Sequence, residues 1–262
     1  ALSNGSAVAA HFDRLSAGGR WSSYYAAMDG RTYHMHLRRQ RVLELLPERL
    51  ERVADIGCGP GVMAEALVAR GARFDGVDFS PEMVGEAAAR FGHLPGVAFR
   101  QADAEALPLP SGAYDAVIAM GLLEYLAAPD RALEEMARIL RPGGTAIVTL
   151  PKRWHIDTVM IALTSPVRAA ARALGRGTAD ALPRLRLQPA QLDRAAARAG
   201  LMQDGGALYH FTPIPYPATR LWPRACMRLN LGFERWAHRR DPVRGFFAHG
   251  YIGRYRKPGI AP

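Results

Sequence analysis

Seven residues, Asp55-Ile56-Gly57-Cys58-Gly59-Pro60-Gly61, join the end of one apolar run to the start of a helical one. Glycines at alternate positions permit a tight turn with positive backbone dihedrals and close approach of a ligand, and the following helix N-terminus presents unpaired N–H groups. A polar, partly anionic ligand suits such a turn. Asp78 closes the next apolar run, 23 residues after Asp55 and 19 after Gly59. A carboxylate there can accept hydrogen bonds from a ribose diol, and the combination reads as adenosine binding. A dinucleotide would call for Gly-x-Gly-x-x-Gly, yet the sixth position counted from Gly57 is Val62. Asp55 would also repel a pyrophosphate, whereas it can hold the ammonium of an amino-acid moiety directly or through water. S-adenosylmethionine therefore fits the turn better than a dinucleotide.

The elements that must position these residues follow from periodicity. From Arg52 to Leu150 short β-branched or apolar runs alternate with helical segments, the pattern of a parallel sheet covered by helices. Strands are expected at Arg52–Gly57, Arg73–Phe79, Val97–Ala102, Tyr114–Met120 and Thr145–Leu150, with helices near Val62–Arg70, Pro81–Phe91 and Pro129–Leu140. Ser80 can cap the second helix with Pro81 at its first position, and Arg141-Pro142-Gly143-Gly144 ends the third. Ahead of this core, His11 to Leu50 reads as helical in its second half, where Leu37, Val42, Leu45 and Leu46 fall near one face. Beyond it come helical stretches around Ile156–Leu174 and Pro189–Ala199 and two strand-like runs, Gly206–Thr212 and Phe246–Arg256.

The ordered set of motifs resembles the class I S-adenosylmethionine-dependent methyltransferases of type 11. It comprises the glycine turn, Gly76-Val77-Asp78-Phe79-Ser80-Pro81-Glu82-Met83, Ala102-Asp103-Ala104-Glu105-Ala106-Leu107-Pro108, Tyr114-Asp115-Ala116-Val117, and Ala137-Arg138-Ile139-Leu140-Arg141-Pro142-Gly143-Gly144. The resemblance covers about a hundred residues, Val53 to Leu150. It implies a Rossmann-like α/β fold: a seven-stranded, mostly parallel sheet with helices on both faces, an antiparallel last strand, an N-terminal helical lid and a helical insertion between the last two strands. One domain is expected, divided into a cap (1–50), a cofactor core (51–150) and substrate-side additions (151–262).

For the site, the resemblance implies that Gly57, Cys58, Gly59 and Gly61 pass beneath the methionine part of the cofactor, near Asp55. Asp78 takes the ribose hydroxyls, Phe79 and Met83 pack on the adenine, Asp103 receives its exocyclic amine, and Ala104 donates a backbone bond. Met120 contributes backbone contacts near the methionyl group. S-adenosyl-L-homocysteine is the implied product. Family members often carry Leu-Glu-His after the fourth strand, whereas this chain reads Leu123-Glu124-Tyr125, so a histidine base at that position is missing.

Methyl transfer from a sulfonium needs a positioned nucleophile. A neutral amine needs little more, and a hydroxyl or phenol gains from a base with a pKa near the working pH. His34, His36, His155, His210 and His249 are the candidates. His155 and His34 rank first, because in the family layout the leading helix covers the cofactor and the segment after the fifth strand borders the substrate.

Composition narrows the partners. Charge is uneven: residues 1–150 carry a net −3 and residues 151–262 a net +13, within a total of +10. The basic half attracts phosphates of lipid, substrate or nucleic acid. Within Thr219 to Arg240, Trp222, Cys226, Leu229, Phe233 and Trp236 recur at helical spacing among Arg220, Arg224, Arg228, Arg235, Arg239 and Arg240, a basic amphipathic pattern suited to an anionic membrane surface or to covering a cleft. A small, lipophilic or anionic acceptor fits these apolar and basic additions best. An RNA methyltransferase and a non-catalytic scaffold are the alternatives, the first disfavoured because no RNA-binding module or base-flipping tetrapeptide is present. Cys58 and Cys226 stand in no metal-ligand spacing, so neither a zinc site nor a disulfide framework is expected, and a cytoplasmic setting, peripheral at a membrane, fits.

Overall fold

A computed structural model describes residues 4–16, 20–26, 32–152, 155, 158–159, 165, 185, 187–211, 223–237 and 247–259. Strands β1 (Arg52–Ile56), β2 (Arg73–Asp78), β3 (Val97–Gln101), β4 (Tyr114–Met120), β5 (Leu140–Pro151), β6 (Met202–Phe211) and β7 (Ala248–Arg256) form one sheet in the order β3-β2-β1-β4-β5-β7-β6. Strands β1 to β5 pair in parallel, and β7 runs antiparallel to both β5 and β6. This is the Rossmann-like sheet anticipated from the motifs.

The helices are α1 (Asn4–Ser16), α2 (Arg20–Ala26), α3 (Tyr33–Leu45), α4 (Ala64–Val68), α5 (Pro81–Phe91), α6 (Pro129–Ile139), α7 (Pro189–Arg198) and α8 (Pro223–Ala237). Alternation along the central strands splits the core between the two faces of the sheet. On β4, Ala116 and Ile118 pack with Val42 of α3 and Leu67 of α4, while Val117 and Ala119 pack with Leu133 and Met136 of α6. Burial of each of the larger side chains among these contributes roughly 1.5–3 kcal/mol. Local chemistry sets the helix starts: Ser80 Oγ accepts Met83 N at 3.1 Å with Pro81 at the first position, and Pro129 opens α6.

Several expected boundaries move, for identifiable reasons. Strand β1 ends at Ile56 because Gly57 N and Cys58 N both turn back onto Val77 O, at 2.7 and 3.0 Å. Strands β2 and β3 likewise stop one residue early, and α4 keeps only Ala64–Val68 of the expected Val62–Arg70. Strand β5 begins at Leu140, not Thr145: Leu140 pairs with Tyr114, residues 141–144 bulge, and pairing resumes at Ala116–Thr145. That bulge is tied down by Gly143 N to Lys257 O and Lys257 N to Gly144 O, both 2.9 Å. Strand β6 begins at Met202, four residues before the expected Gly206. A glycine is needed at 206, where a Cβ would lie 2.8 Å from Ile252 O of the paired strand. Two helical segments, Asn4–Ser16 and Arg20–Ala26, precede α3, where only the second half of His11 to Leu50 was expected to be helical, and α1 is fastened to α5 through Ser16 Oγ, which donates to Glu86 Oε2 at 2.6 Å.

Helix α8 divides its apolar residues between two faces. The stripe of Cys226, Leu229, Phe233 and Trp236 does not face inward as a unit. Leu229 and Trp236 are 59% and 49% exposed, and the buried face carries Cys226, Asn230 and Glu234. Packing against β6 and α3 selected a polar stripe over the more apolar one, because Glu234 accepts Phe211 N of β6 and Asn230 donates to Tyr33 OH of α3. Trp222, Arg220, Arg239, Arg240 and most of the expected Ile156–Leu174 helix lie outside the described residues.

Candidate active site

A cavity of 620 Å³ opens at the C-terminal edge of the parallel strands, where ligands of open α/β sheets bind. Gly57, Cys58 and Gly59 line one wall, the two glycines at φ 71° and 51°. Asp78 fastens this turn: its Oδ2 accepts Gly59 N at 2.8 Å and its Oδ1 accepts Ser80 N at 3.0 Å. Phe79, Met83, Asp103, Ala104 and Met120 also line the cavity. Phe79 is 41% exposed and so offers an open aromatic face, while Asp103 Oδ1 steadies its loop by accepting Glu105 N at 2.9 Å.

Gly61 and Asp55 stand apart from this lining. Gly61, at φ 74°, lacks room for a side chain because a Cβ would lie 2.9 Å from Phe99 Cζ; its role is to let the turn pack on β3 and α5. Asp55 sits behind the turn, 1% exposed, and neither carboxylate oxygen has a hydrogen-bond partner. Burial, and then repulsion from Asp78, push its carboxyl up to about 8, with Arg38 pulling the other way. Burial also drives the Cys58 thiol well up, helped by Asp78 and Asp55, so it stays protonated and is no nucleophile.

Arg38, on α3, lines the cavity and is part-buried there. Burial opposes its charge, but Tyr25, Tyr209 and Glu124 more than offset this and hold the guanidinium ionised. Nη2 donates to Tyr25 OH at 3.1 Å, whereas Nε has no partner. Arg38 was not singled out in the sequence, since it opens the solvated-looking run Arg38-Arg39-Gln40-Arg41. A signal was present all the same: Met35, Arg38 and Val42 share one helical stripe whose apolar members are both buried.

The histidines behave collectively. Both first-ranked candidates, His34 and His155, reach the cavity, and so do His210 and His249. Ring centroids lie 4.1 Å apart for His155 and His249, 4.3 Å for His210 and His249, and 5.2 Å for His34 and His210. His36 is not among the lining residues and packs its ring on Tyr25 instead. Tyr125, which replaces the family histidine, lines the cavity with its ring edge-on to Phe12 of α1 at 5.2 Å.

Strand order, glycine turn and the acidic end of β2 together define the Rossmann-like fold of the methyltransferase class. Residues 54–148 match the family model described as a methyltransferase domain. A ubiquinone biosynthesis O-methyltransferase of Methylococcus capsulatus is 32% identical over 62% of this chain and 68% of its own length. A trans-aconitate 2-methyltransferase of Methylobacterium nodulans is 45% identical over 102 residues, 38% of each chain, so this chain spans well under half of that relative. Among solved structures, a methyltransferase in complex with the Haloferax volcanii Trm112 methyltransferase activator is 25% identical, with a TM-score of 0.65 over 94% of this chain and 97% of that one. The chain belongs to the class I S-adenosylmethionine-dependent methyltransferases. No helix among the described residues is long and apolar enough to cross a membrane.

Proposed function

We propose that this protein transfers a methyl group from S-adenosylmethionine to a nucleophilic atom of a small, apolar or anionic acceptor. The observation that carries this reading is a pair of incompletely satisfied ionisable groups, the buried Asp55 carboxyl just behind the glycine turn and the Arg38 guanidinium on the lining of a cavity that also carries aromatic and imidazole rings. A zwitterionic amino-acid group matches that pair: Asp55 faces the ammonium, directly or through water, and Arg38 the carboxylate. Asp78 takes the ribose hydroxyls, Phe79 and Met83 sandwich the adenine, and Asp103 and Ala104 read its amino edge. Gly57, Cys58, Gly59 and Met120 provide main-chain walls, and Gly61 keeps the turn packed. When bound, the donor supplies a methyl already activated on a sulfonium. The protein's task is to align the acceptor and exclude water, the source of most of the acceleration in such displacements. Relatives named for ubiquinone biosynthesis and for trans-aconitate support a small-molecule acceptor.

Calorimetry tests the donor end. S-adenosylmethionine and S-adenosylhomocysteine should bind with Kd on the order of 1–100 μM, as for typical enzyme substrates. With its carboxyl at about 8, Asp55 holds a proton at pH 7 in the empty site and gives it up to the buffer when an ammonium arrives beside it. Binding should therefore release close to one proton, read as a dependence of the measured enthalpy on the buffer's ionisation enthalpy. The release should vanish above pH 9 and in Asp55→Asn. A buffer-independent enthalpy at pH 7 contradicts the assignment of Asp55.

The exposed face of α8 supports a second, peripheral role. Arg224, Arg228 and Arg235 lie along one flank of that face, and Ala225, Leu229 and Trp236 along the other. Basic and apolar groups side by side on an open helix face suit an anionic bilayer surface. Cosedimentation with vesicles of phosphatidylglycerol and phosphatidylcholine should fall several-fold in an Arg224→Ala, Arg228→Ala, Trp236→Ala variant. Equal sedimentation of the variant and the parent chain would sink this role.

A further inference from the structure

Four imidazoles from separate elements meet on the cavity lining: His34 from α3, His155 after β5, His210 at the end of β6 and His249 in β7. His210 is the most elaborately held of them. It is the non-glycine residue with positive φ among those described, at 58°, a conformation retained only where its surroundings over-determine it. Glu234 of α8 clamps the backbone there, its Oε1 accepting His210 N at 3.3 Å and its Oε2 accepting Phe211 N at 2.6 Å. The ring is fixed through Nε2, 3.0 Å from Tyr33 OH, which in turn accepts Asn230 Nδ2 at 3.0 Å. Glu234 and Asn230 are 3% and 1% exposed. Burying a carboxylate and an amide on a helix face costs stability relative to an apolar stripe, so their placement marks a site where positioning outranks packing.

We propose that this imidazole cluster is the acceptor subsite, built around His210, and that it takes the proton of an acidic hydroxyl, a phenol or an enol. The inference rests on the donor occupying the Asp78 end of the cavity. In the step, the acceptor O–H bond breaks, its electron pair stays on oxygen as the nucleophile, and the proton forms an N–H bond on one imidazole. The cluster holds one such proton at a time, since a second would repel the first at these separations. Burial, then its histidine neighbours, keep His210 well below the ordinary range, and burial, then His155, His34 and Lys152, bring His249 down to about 3. The groups facing His210 are Tyr33 and His34 from α3, His155, His249, and Glu234 across its backbone. The two rings are thus neutral at pH 7 and resist a proton while the site is empty, and only a bound phenolate supplies the counter-charge that raises their basicity and stabilises the imidazolium. A simple alcohol is too weak an acid for this exchange, and a neutral amine has no need of it.

The test uses 4-nitrophenol, whose phenolate absorbs in the visible, added to protein saturated with S-adenosylhomocysteine. The bound probe should show the phenolate band at a pH where the free probe is mostly phenol. His210→Asn keeps a side chain that tolerates positive φ, and His249→Gln sits in ordinary strand backbone; in each the band should revert and the probe's Kd rise by about tenfold or more, one pKa unit's worth. Glu234→Gln, a positioning change, should shift the probe's apparent pKa part of the way back. Binding of the probe as neutral phenol, an unchanged spectrum in both histidine variants, or no binding to the loaded protein overturns the proposal. If S-adenosylhomocysteine itself fails to bind, the donor reading falls and the acceptor subsite with it.

Discussion

Replacing Asp78 with alanine should weaken S-adenosylhomocysteine binding by a factor of about 10² to 10⁴. Two hydrogen bonds from ribose hydroxyls to one carboxylate are worth about 1.5–3 kcal/mol each, and each 1.4 kcal/mol is tenfold in Kd. The loss is compounded because the same carboxylate secures Gly59 N and Ser80 N, and both donors are stranded in the variant. Loop loosening and lost ribose contacts separate in a double cycle with the 2′-deoxy analogue of the ligand. The parent protein should discriminate strongly against the deoxy form, and the variant hardly at all. Asp78→Asn, which keeps one acceptor oxygen, should fall between. Calorimetry reads all of these, and an Asp78→Ala protein with unchanged affinity removes the basis for placing adenosine here.

Arg38→Met should damage both stability and donor binding. The substitution keeps most of the volume but removes the cation that faces Glu124 and Asp55 inside the cavity wall. Stripping the partner from a buried charge costs about 3–5 kcal/mol, a large part of the roughly 5–15 kcal/mol that keeps a protein folded. For a chain of this size that corresponds to a fall in Tm of about 10 °C. The pH dependence has a definite sign. Asp55 already has a folded-state pKa raised above its unfolded value, so the native state holds a proton that the unfolded state has lost, and its carboxyl favours folding less as pH rises towards 8. Without Arg38 the carboxyl is pushed up further, and the gap between variant and parent should widen as pH rises from about 6 to 9. Urea unfolding across that range measures it, and Asp55→Asn placed in the Arg38→Met background should recover part of the loss. A variant as stable as the parent at pH 9 would mean that Arg38 compensates no buried charge. Its donor affinity should also drop about tenfold or more, the worth of one charge-assisted pair.

Much of this architecture was readable from the chain itself. The five parallel strands, the turn from Asp55 to Gly61 and the acidic end of β2 are local in origin. Period-two apolar runs, proline and serine at helix starts and glycines at positive φ act within a few residues of where they stand. The donor end of the site is legible for the same reason, because Asp78, Phe79, Met83 and Asp103 follow strands whose order is set by short, right-handed connections. Even there the sequence could not distinguish Gly57 and Gly59, which face the cavity, from Gly61, which faces Phe99.

The acceptor end was decided by tertiary structure. His34, His155, His210 and His249 are scattered over more than two hundred residues, and nothing in their spacing foretells ring centroids 4 to 5 Å apart. They converge because antiparallel β7 brings its own start beside the ends of β5 and β6, and α3 packs across β6. Arg38 and the inward stripe of α8 were hidden for a related reason. Residue type by itself describes a charge as a cost to burial, and only the presence of Tyr25, Tyr33, Glu124 and the His210 backbone as partners makes burial the favourable outcome. Local pattern thus determined the scaffold and the donor's cradle, while long-range packing determined which polar groups face the second substrate.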